Sequence, residues 1–250
     1  MTSPALSVRD LSKSFGAIVV AQSLDVDLAP GARVGLIGPN GAGKTTFVNL
    51  LTGFLQPDSG TIEMSGVRID RSKPEDRVRS GLVRTHQINA LLVESSVRDN
   101  VAIAVAEREH YAWRAIRYTP QWRFCLEEAQ VRLEEIGLGA TGDREVRHLP
   151  YGEQRLLEIA IALSLKPKVL LLDEPAAGIP ASEAHVIHDV LGRLPPEIAI
   201  LIIEHDMELV FRFAQEIIVL VQGKLLTRGK PAEISADPEV RAVYLGQTII

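Results

Sequence analysis

The chain has 250 residues, 46% of them hydrophobic and 24% charged, and its 27 Lys+Arg against 32 Asp+Glu leave a formal net charge of −5. This suits a globular protein of one or two modules with enough length to bury a core, and it excludes a disordered, collagenous or disulfide-stapled polypeptide. The negative balance offers nucleic acid or anionic lipid no whole-molecule attraction, so any such contact has to be local. From the start, Met-Thr-Ser-Pro-Ala is not a signal peptide. Leu6 to Leu11 and Leu24 to Leu28 alternate like β-strands, and Arg33 to Ile37 is a short apolar run that stops at glycine. Gly38-Pro-Asn-Gly-Ala-Gly-Lys-Thr-Thr46 follows, then apolar residues at helical spacing from Thr45 to about Thr52, with Gly53 as a stop. Ser65-Gly66 reads as a hairpin turn between Thr61 to Met64 and Val67 to Ile69.

From about Ser95 to Leu165 the pattern becomes helical, with helices expected over Ser96 to Glu107, Gln121 to Gly137 and Gly152 to Leu165. The lone cysteine, Cys125, falls in the second of these, cannot form an internal disulfide and reads as a packing residue. Strands return at Lys168 to Asp173, Ile198 to Glu204 and Glu216 to Val221, alternating with helices Ala181 to Leu194 and Asp206 to Ala214. Continuous Val/Ile/Leu runs suggest strands covered on both faces, as in a parallel sheet. The longest run, Ile198 to Ile203, has six residues, far short of the roughly 18 that cross a bilayer. The expected location is therefore cytoplasmic, with any membrane role exerted through a partner. Asp237-Pro238 opens a last helix, and Gly246 is placed to end it.

Gly38-x4-Gly43-Lys44-Thr45 satisfies the phosphate-loop pattern, in which glycines let backbone N–H groups wrap a phosphate at a helix start. Lys44 would neutralise β/γ oxygens and the Thr45 hydroxyl would take a Mg²⁺ position. A glycine-rich loop with a chance lysine matches the same string, but the strand before and the helix after favour the functional reading. Val169-Leu-Leu-Leu172 delivers Asp173 and Glu174 at its C-terminal end, where ligands bind in open α/β sheets. Two carboxylates after a strand are often only a helix entry. Beside a phosphate loop, Asp173 suits Mg²⁺ and Glu174 suits orienting or deprotonating an attacking water. These motifs leave a nucleoside triphosphatase, a small-molecule kinase and a GTPase open.

Leu149-Pro-Tyr-Gly-Glu-Gln-Arg155, ending 18 residues before Asp173, resembles the signature motif of the ATP-binding cassette (ABC) ATPases. The resemblance covers essentially the whole chain. It implies an α/β P-loop fold with a mostly parallel sheet core, an N-terminal antiparallel β part and an inserted helical subdomain. The implied division is 1–94 with 166–250 as the nucleotide-binding core, and 95–165 as the helical part carrying the signature. It further implies that Gly38, Pro39, Asn40, Gly41, Ala42, Gly43, Lys44, Thr45 and Thr46 hold ATP. Tyr151, Gly152, Glu153 and Gln154 would close over ATP bound by a second cassette, and Phe15 would stack on adenine. Gln87 in Val83-Arg-Thr-His-Gln87 matches the glutamine that touches Mg²⁺ alongside Thr45 and Asp173, and His205 in Ile202-Ile-Glu-His-Asp206 matches the histidine at the γ-phosphate. Glu174, His205 and Gln87 are thus the implied catalytic set, with ATP and Mg²⁺ as cofactors. Ala177-Gly-Ile-Pro-Ala181 occupies the D-loop position.

Within that family Gly81 to Gln87, Leu149 to Ala160, Asp173 to Gly178 and the ending Asp237 to Gly246 look like the branched-chain amino acid importer ATPases. The lipopolysaccharide-transport ATPase has a similar ending and a shorter helical insertion. Soluble ABC ATPases acting on ribosomes or DNA commonly carry two cassettes or a long coiled coil, neither of which is present. The narrower resemblance implies a second ABC ATPase, permease subunits and, through them, a substrate-binding protein as partners, with no nucleic acid. Two positions depart from the family. Pro150 replaces the usual signature serine and offers neither hydroxyl nor N–H, which implies a weaker site on the partner's phosphate loop and faster hydrolysis at this chain's own. Pro180 stands near the usual D-loop aspartate. Residues 108–124 hold five of the twelve aromatics (Tyr111, Trp113, Tyr118, Trp122, Phe124) and four arginines (Arg108, Arg114, Arg117, Arg123) against Glu109. This stretch reads as a helical pair with a solvated basic face or as a dock for a membrane subunit, with base stacking as the third reading.

Overall fold

The computed structural model describes residues 3–85, 91–111 and 119–245. They divide into two units, Met1–Leu82 with Lys168–Glu174 and Pro195–Ile250, and Val83–Pro167 with Pro175–Leu194. The stretch 95–165 lies within the second.

In the first unit β1 (Leu6–Phe15), β2 (Ile18–Leu28), β4 (Ser59–Met64) and β5 (Val67–Arg68) form an antiparallel sheet in the order β2-β1-β4-β5. Leu6, Val8, Leu11, Leu24, Val26 and Leu28 are its buried face. The step from Val8 to Leu11 breaks strict alternation. A register shift there, with Asp10 at φ 49°, returns Leu11 to the core. Ser65 and Gly66 turn at φ 49° and 81°, the pair of left-handed residues a tight hairpin requires, as the dipeptide predicts.

A second sheet has the order β10-β9-β3-β8-β7-β6, built from β3 (Arg33–Ile37), β6 (Leu82–Arg84), β7 (Val169–Asp173), β8 (Ala199–Ile203), β9 (Glu216–Val221) and β10 (Lys224–Gly229). β9, β3, β8 and β7 run parallel, and β10 is antiparallel to β9. Every residue of β7 and β8 is buried, which accounts for their unbroken apolar sequences. α1 (Lys44–Thr52) contributes Phe47, Leu50 and Leu51 to a core with Leu36, Leu201 and Val8. α7 (Met207–Phe213), α8 (Pro231–Ala236) and α9 (Pro238–Leu245) pack in another, around Ile37, Ile217 and Val219. α2 (Pro74–Arg79) sends the fully buried Arg77 to the Leu50 and Leu51 carbonyls at 2.6 and 2.7 Å, satisfying the end of α1. β6, β10, α2 and α8 have no counterpart in the sequence pattern, because none spans more than six residues and none alternates cleanly.

The second unit holds α3 (Val97–Arg108), α4 (Pro120–Glu135), α5 (Tyr151–Ser164) and α6 (Ala181–Gly192), each starting within a residue of its sequence expectation. Ser96 accepts from the Asp99 N–H at 3.0 Å and Thr119 from the Trp122 N–H at 3.2 Å, capping α3 and α4. Cys125 is buried beside Ala129 and Leu133 on the inner face of α4 and is a free thiol, as expected of a packing residue. One expectation is corrected. Arg108 does not stand on a solvated basic face. Its guanidinium meets Glu109 and Glu128 at 2.7 Å each and the Ser164 carbonyl at 2.7 Å, because carboxylates and the end of α5 converge there. Arg123 and Phe124 are exposed, whereas Trp113, Arg114, Arg117 and Tyr118 lie outside the described residues. No helix among the described residues is long and apolar enough to cross a membrane.

Candidate functional site

β3 ends at Ile37, α1 begins at Lys44, and the six residues between them form the glycine-rich loop. Two of its glycines are imposed by close packing. A Cβ on Gly38 would lie 2.2 Å from the Leu220 carbonyl oxygen, and one on Gly43, at φ 100°, would lie 2.6 Å from that of Val20. The turn between β9 and β10 completes the cradle. The Gly223 N–H donates to the Ala42 carbonyl at 2.9 Å, and the Gly223 carbonyl accepts from the Gln22 N–H at 2.7 Å. α1 starts with no capping side chain, which leaves its first N–H groups and positive dipole end for an anion. Lys44 is buried, its ammonium donating to the carbonyls of Gly38 at 2.6 Å and Pro39 at 3.1 Å. Burial lowers its pKa, and the charges of Glu174 and Asp173 pull the other way. Asn40, Gly41 and Thr45 are exposed, Thr46 is half-buried, and Ala42 is buried.

Sheet order brings the other chemistry alongside. β8 lies between β3 and β7, with Leu36 and Asp173 both in register with Ile203. The three parallel strands therefore end together, at the sheet edge where α/β proteins bind ligands. Asp173 is buried at the end of β7. Glu174 follows in a left-handed conformation, φ 49°, with its N–H donating to the Ile203 carbonyl at 2.8 Å. Its Oε1 meets His205 Nε2 at 3.0 Å. The buried Glu204 carboxylate accepts the His205 N–H at 3.1 Å, setting the backbone from which the imidazole projects.

Phe15, at the end of β1, is 52% exposed, with the Lys13 ammonium 5.6 Å from its ring centre. Tyr151, Gly152, Glu153 and Gln154 form the first turn of α5 in the second unit, and Pro150 is the N-cap with no side-chain cap. Tyr151 accepts from Arg155 at 2.5 Å, and a Cβ on Gly178 would lie 3.2 Å from its ring, so Gly178 packs on that tyrosine. Gln87 lies outside the described residues. Gly223 and Glu204 are neighbours of this constellation that the sequence reading omits. Gln222-Gly223 between two apolar runs is a hairpin signal that marks the first. A buried glutamate beside a histidine carries no such signal.

Residues 21–177 match the family model described as ABC transporter, and residues 224–248 match one described as branched-chain amino acid ATP-binding cassette transporter. The chain is 38% identical over 254 aligned residues to the high-affinity branched-chain amino acid transport ATP-binding protein LivG of Escherichia coli, covering 99% of this chain and 100% of that one. It is 36% identical to BraF of Pseudomonas aeruginosa, a protein of the same description, with the same coverage. Among solved structures, an ATP-binding cassette of an ABC transporter in its ADP conformation aligns with TM-score 0.86 and 29% identity over 98% of this chain and 100% of that chain.

Proposed function

The chain belongs to the ABC transporter family, and from that premise we propose that it is the ATP-hydrolysing subunit of an importer for branched-chain or related amino acids. The observation that carries the hydrolytic reading is the 3.0 Å pairing of Glu174 with His205 at the ends of neighbouring strands, one strand from the phosphate loop. The loop N–H groups, Lys44 and the start of α1 bind the ATP phosphates, and Phe15 receives the adenine. Glu174 accepts a proton from the attacking water as oxygen bonds to the γ-phosphorus. The bond to the β,γ-bridging oxygen breaks, and ADP leaves with that electron pair. His205 orients Glu174 and the γ-phosphate.

The donor set suits magnesium. Thr45 and Asp173 offer hard oxygens, and Mg²⁺ characteristically takes one or two such ligands beside phosphates and water. Those residues, with Gln87, would hold it, and bound there it would offset phosphate charge.

Two cassettes would pair, each presenting Tyr151, Gly152, Glu153 and Gln154 to ATP on the other's loop, with 95–165 acting as the helical subdomain that meets the permease. On this reading the protein would sit peripherally at the cytoplasmic membrane face, bound through permease subunits that a substrate-binding protein feeds. The amino acid class is supported by full-length similarity to LivG and by the match at 224–248. Pro150 supports asymmetric turnover, with this chain's own site the faster. Replacing Glu174 by Gln is expected to slow ATP turnover by about 10²- to 10⁴-fold, the scale of a lost general base, with ATP affinity retained. Steady-state phosphate release beside equilibrium nucleotide binding checks this, and near-normal turnover would remove Glu174 from the role.

A further inference from the structure

Glu204 is the first residue past β8 and is buried, 5% exposed, at the sheet edge that carries Asp173 and the glycine-rich loop. An ionised carboxylate out of water is costly unless its oxygens are bonded, so an apolar residue would serve this strand end better if packing were the only demand. The bond it makes shows another demand. Its Oε2 accepts the N–H of His205 at 3.1 Å. β8 ends at Ile203, so that N–H lies beyond the sheet ladder, and a side chain supplies the acceptor that a neighbouring strand supplies earlier. One peptide before, the Ile203 carbonyl accepts the Glu174 N–H at 2.8 Å. Adjacent peptides thus hold the two members of the pair: one takes the main chain of Glu174, the next carries His205, and Glu204 is the residue that joins them. On the far side of His205, Asp206 caps α7, its Oδ1 accepting from the N–H groups of Glu208 at 2.9 Å and Leu209 at 3.2 Å, with Leu209 and Val210 buried. The backbone that carries the imidazole is therefore fixed at both ends, although the imidazole itself is half exposed. From this frame His205 Nε2 meets Glu174 Oε1 at 3.0 Å, and a backbone shift of about half an ångström would take the contact out of hydrogen-bond range.

We propose that Glu204 is a positioning residue for ATP hydrolysis, whose buried carboxylate holds the main chain of His205 so that the imidazole stays on Glu174. The proposal rests on the Glu174 and His205 pair being the hydrolytic centre, and the test separates the two. Full-length wild-type, Glu204→Leu, Glu204→Gln, His205→Ala and Glu204→Leu/His205→Ala chains are compared in steady-state hydrolysis, equilibrium binding of ATP and thermal denaturation. Glu204→Leu fills the site but offers no acceptor. It is expected to lower kcat about 10- to 100-fold, the scale of a misplaced catalytic group, with Kd for ATP near wild type and Tm no lower. Glu204→Gln, whose amide oxygen can accept the same N–H, is expected to recover most of that loss. The double variant is expected to turn over like His205→Ala, because a residue that acts through an imidazole has nothing to position once the imidazole is gone. Wild-type kcat in Glu204→Leu would overturn the positioning role. So would additive losses in the double variant, a Gln variant as slow as the Leu variant, or a kcat loss accompanied by weaker ATP binding and a lower Tm, since general loosening of the strand end then explains it. Wild-type kcat in His205→Ala would instead overturn the assignment of the hydrolytic pair, and with it the premise.

Discussion

At the residue scale the site depends on backbone shape as much as on side-chain chemistry. Gly43 combines φ 100° with a Cβ position 2.6 Å from the Val20 carbonyl, whereas a Cβ on Gly41, at φ 78°, has nothing within 4 Å. Both positions strain an L-residue, by about 1–3 kcal/mol, but only Gly43 adds a collision with backbone. Gly43→Ala is therefore expected to weaken ATP binding by more than about tenfold and Gly41→Ala by clearly less. Equilibrium titration of the two variants measures the difference, and equal affinities would show that the loop relaxes around the added methyl. Glu174 shows the same economy: its left-handed φ of 49° turns the chain directly after Asp173, so successive residues deliver one buried and one half-exposed carboxylate. Sequence alone identifies these residue types. It does not show the 3.0 Å approach of Glu174 to His205, because that distance depends on two strands 30 residues apart lying side by side.

At the element scale, helix boundaries follow local signals closely. Ser96, Thr119, Asp206 and Asp237 precede helices and accept N–H groups from their first turns, as their side chains dictate. Arg108 shows where local reading stops. In sequence it belongs to a basic, aromatic stretch. In the fold it joins α3 to α4 and to the Ser164 carbonyl at the end of α5. Arg108→Met would leave Glu128 and the Ser164 carbonyl without their strongest partner, at a cost of about 1.5–3 kcal/mol. The hydrogen bond from Arg108, and then its charge, hold the Glu128 carboxyl below its ordinary value of 4.5. A depressed acid stabilises the fold above the unfolded pKa and loses that contribution as pH falls through the folded one. Wild type should thus lose stability on acidification below about pH 4.5 by a component that Arg108→Met lacks. Chemical denaturation at pH 7 and pH 3 measures it, and parallel losses in both proteins would rule the ion pair out as the source.

At the scale of the whole molecule the question is pairing. Pro150 begins α5 without a side-chain cap, and its ring nitrogen carries no proton. A pair of identical chains would set this depleted helix start against both nucleotides, and a mixed pair against one. The Glu174→Gln chain with MgATP is expected to size as a monomer alone and as a dimer once a second, signature-complete cassette is added. A homodimer of the chain by itself would show that Pro150 is tolerated. What the sequence determined alone is the order of strand, glycine loop and helix, the Asp173-Glu174 pair after its strand, the signature string and the helix caps, because each depends on neighbours a few residues away. Tertiary structure decided the rest. The wedging of the glycine-rich loop between β2 and the Gly223 turn, the meeting of Glu174 with His205 and the inward ion pairing of Arg108 all join residues distant in sequence. Hydrophobic periodicity reports which face of an element is buried, whereas the partner on that face is chosen by sheet order and by which apolar faces pack together.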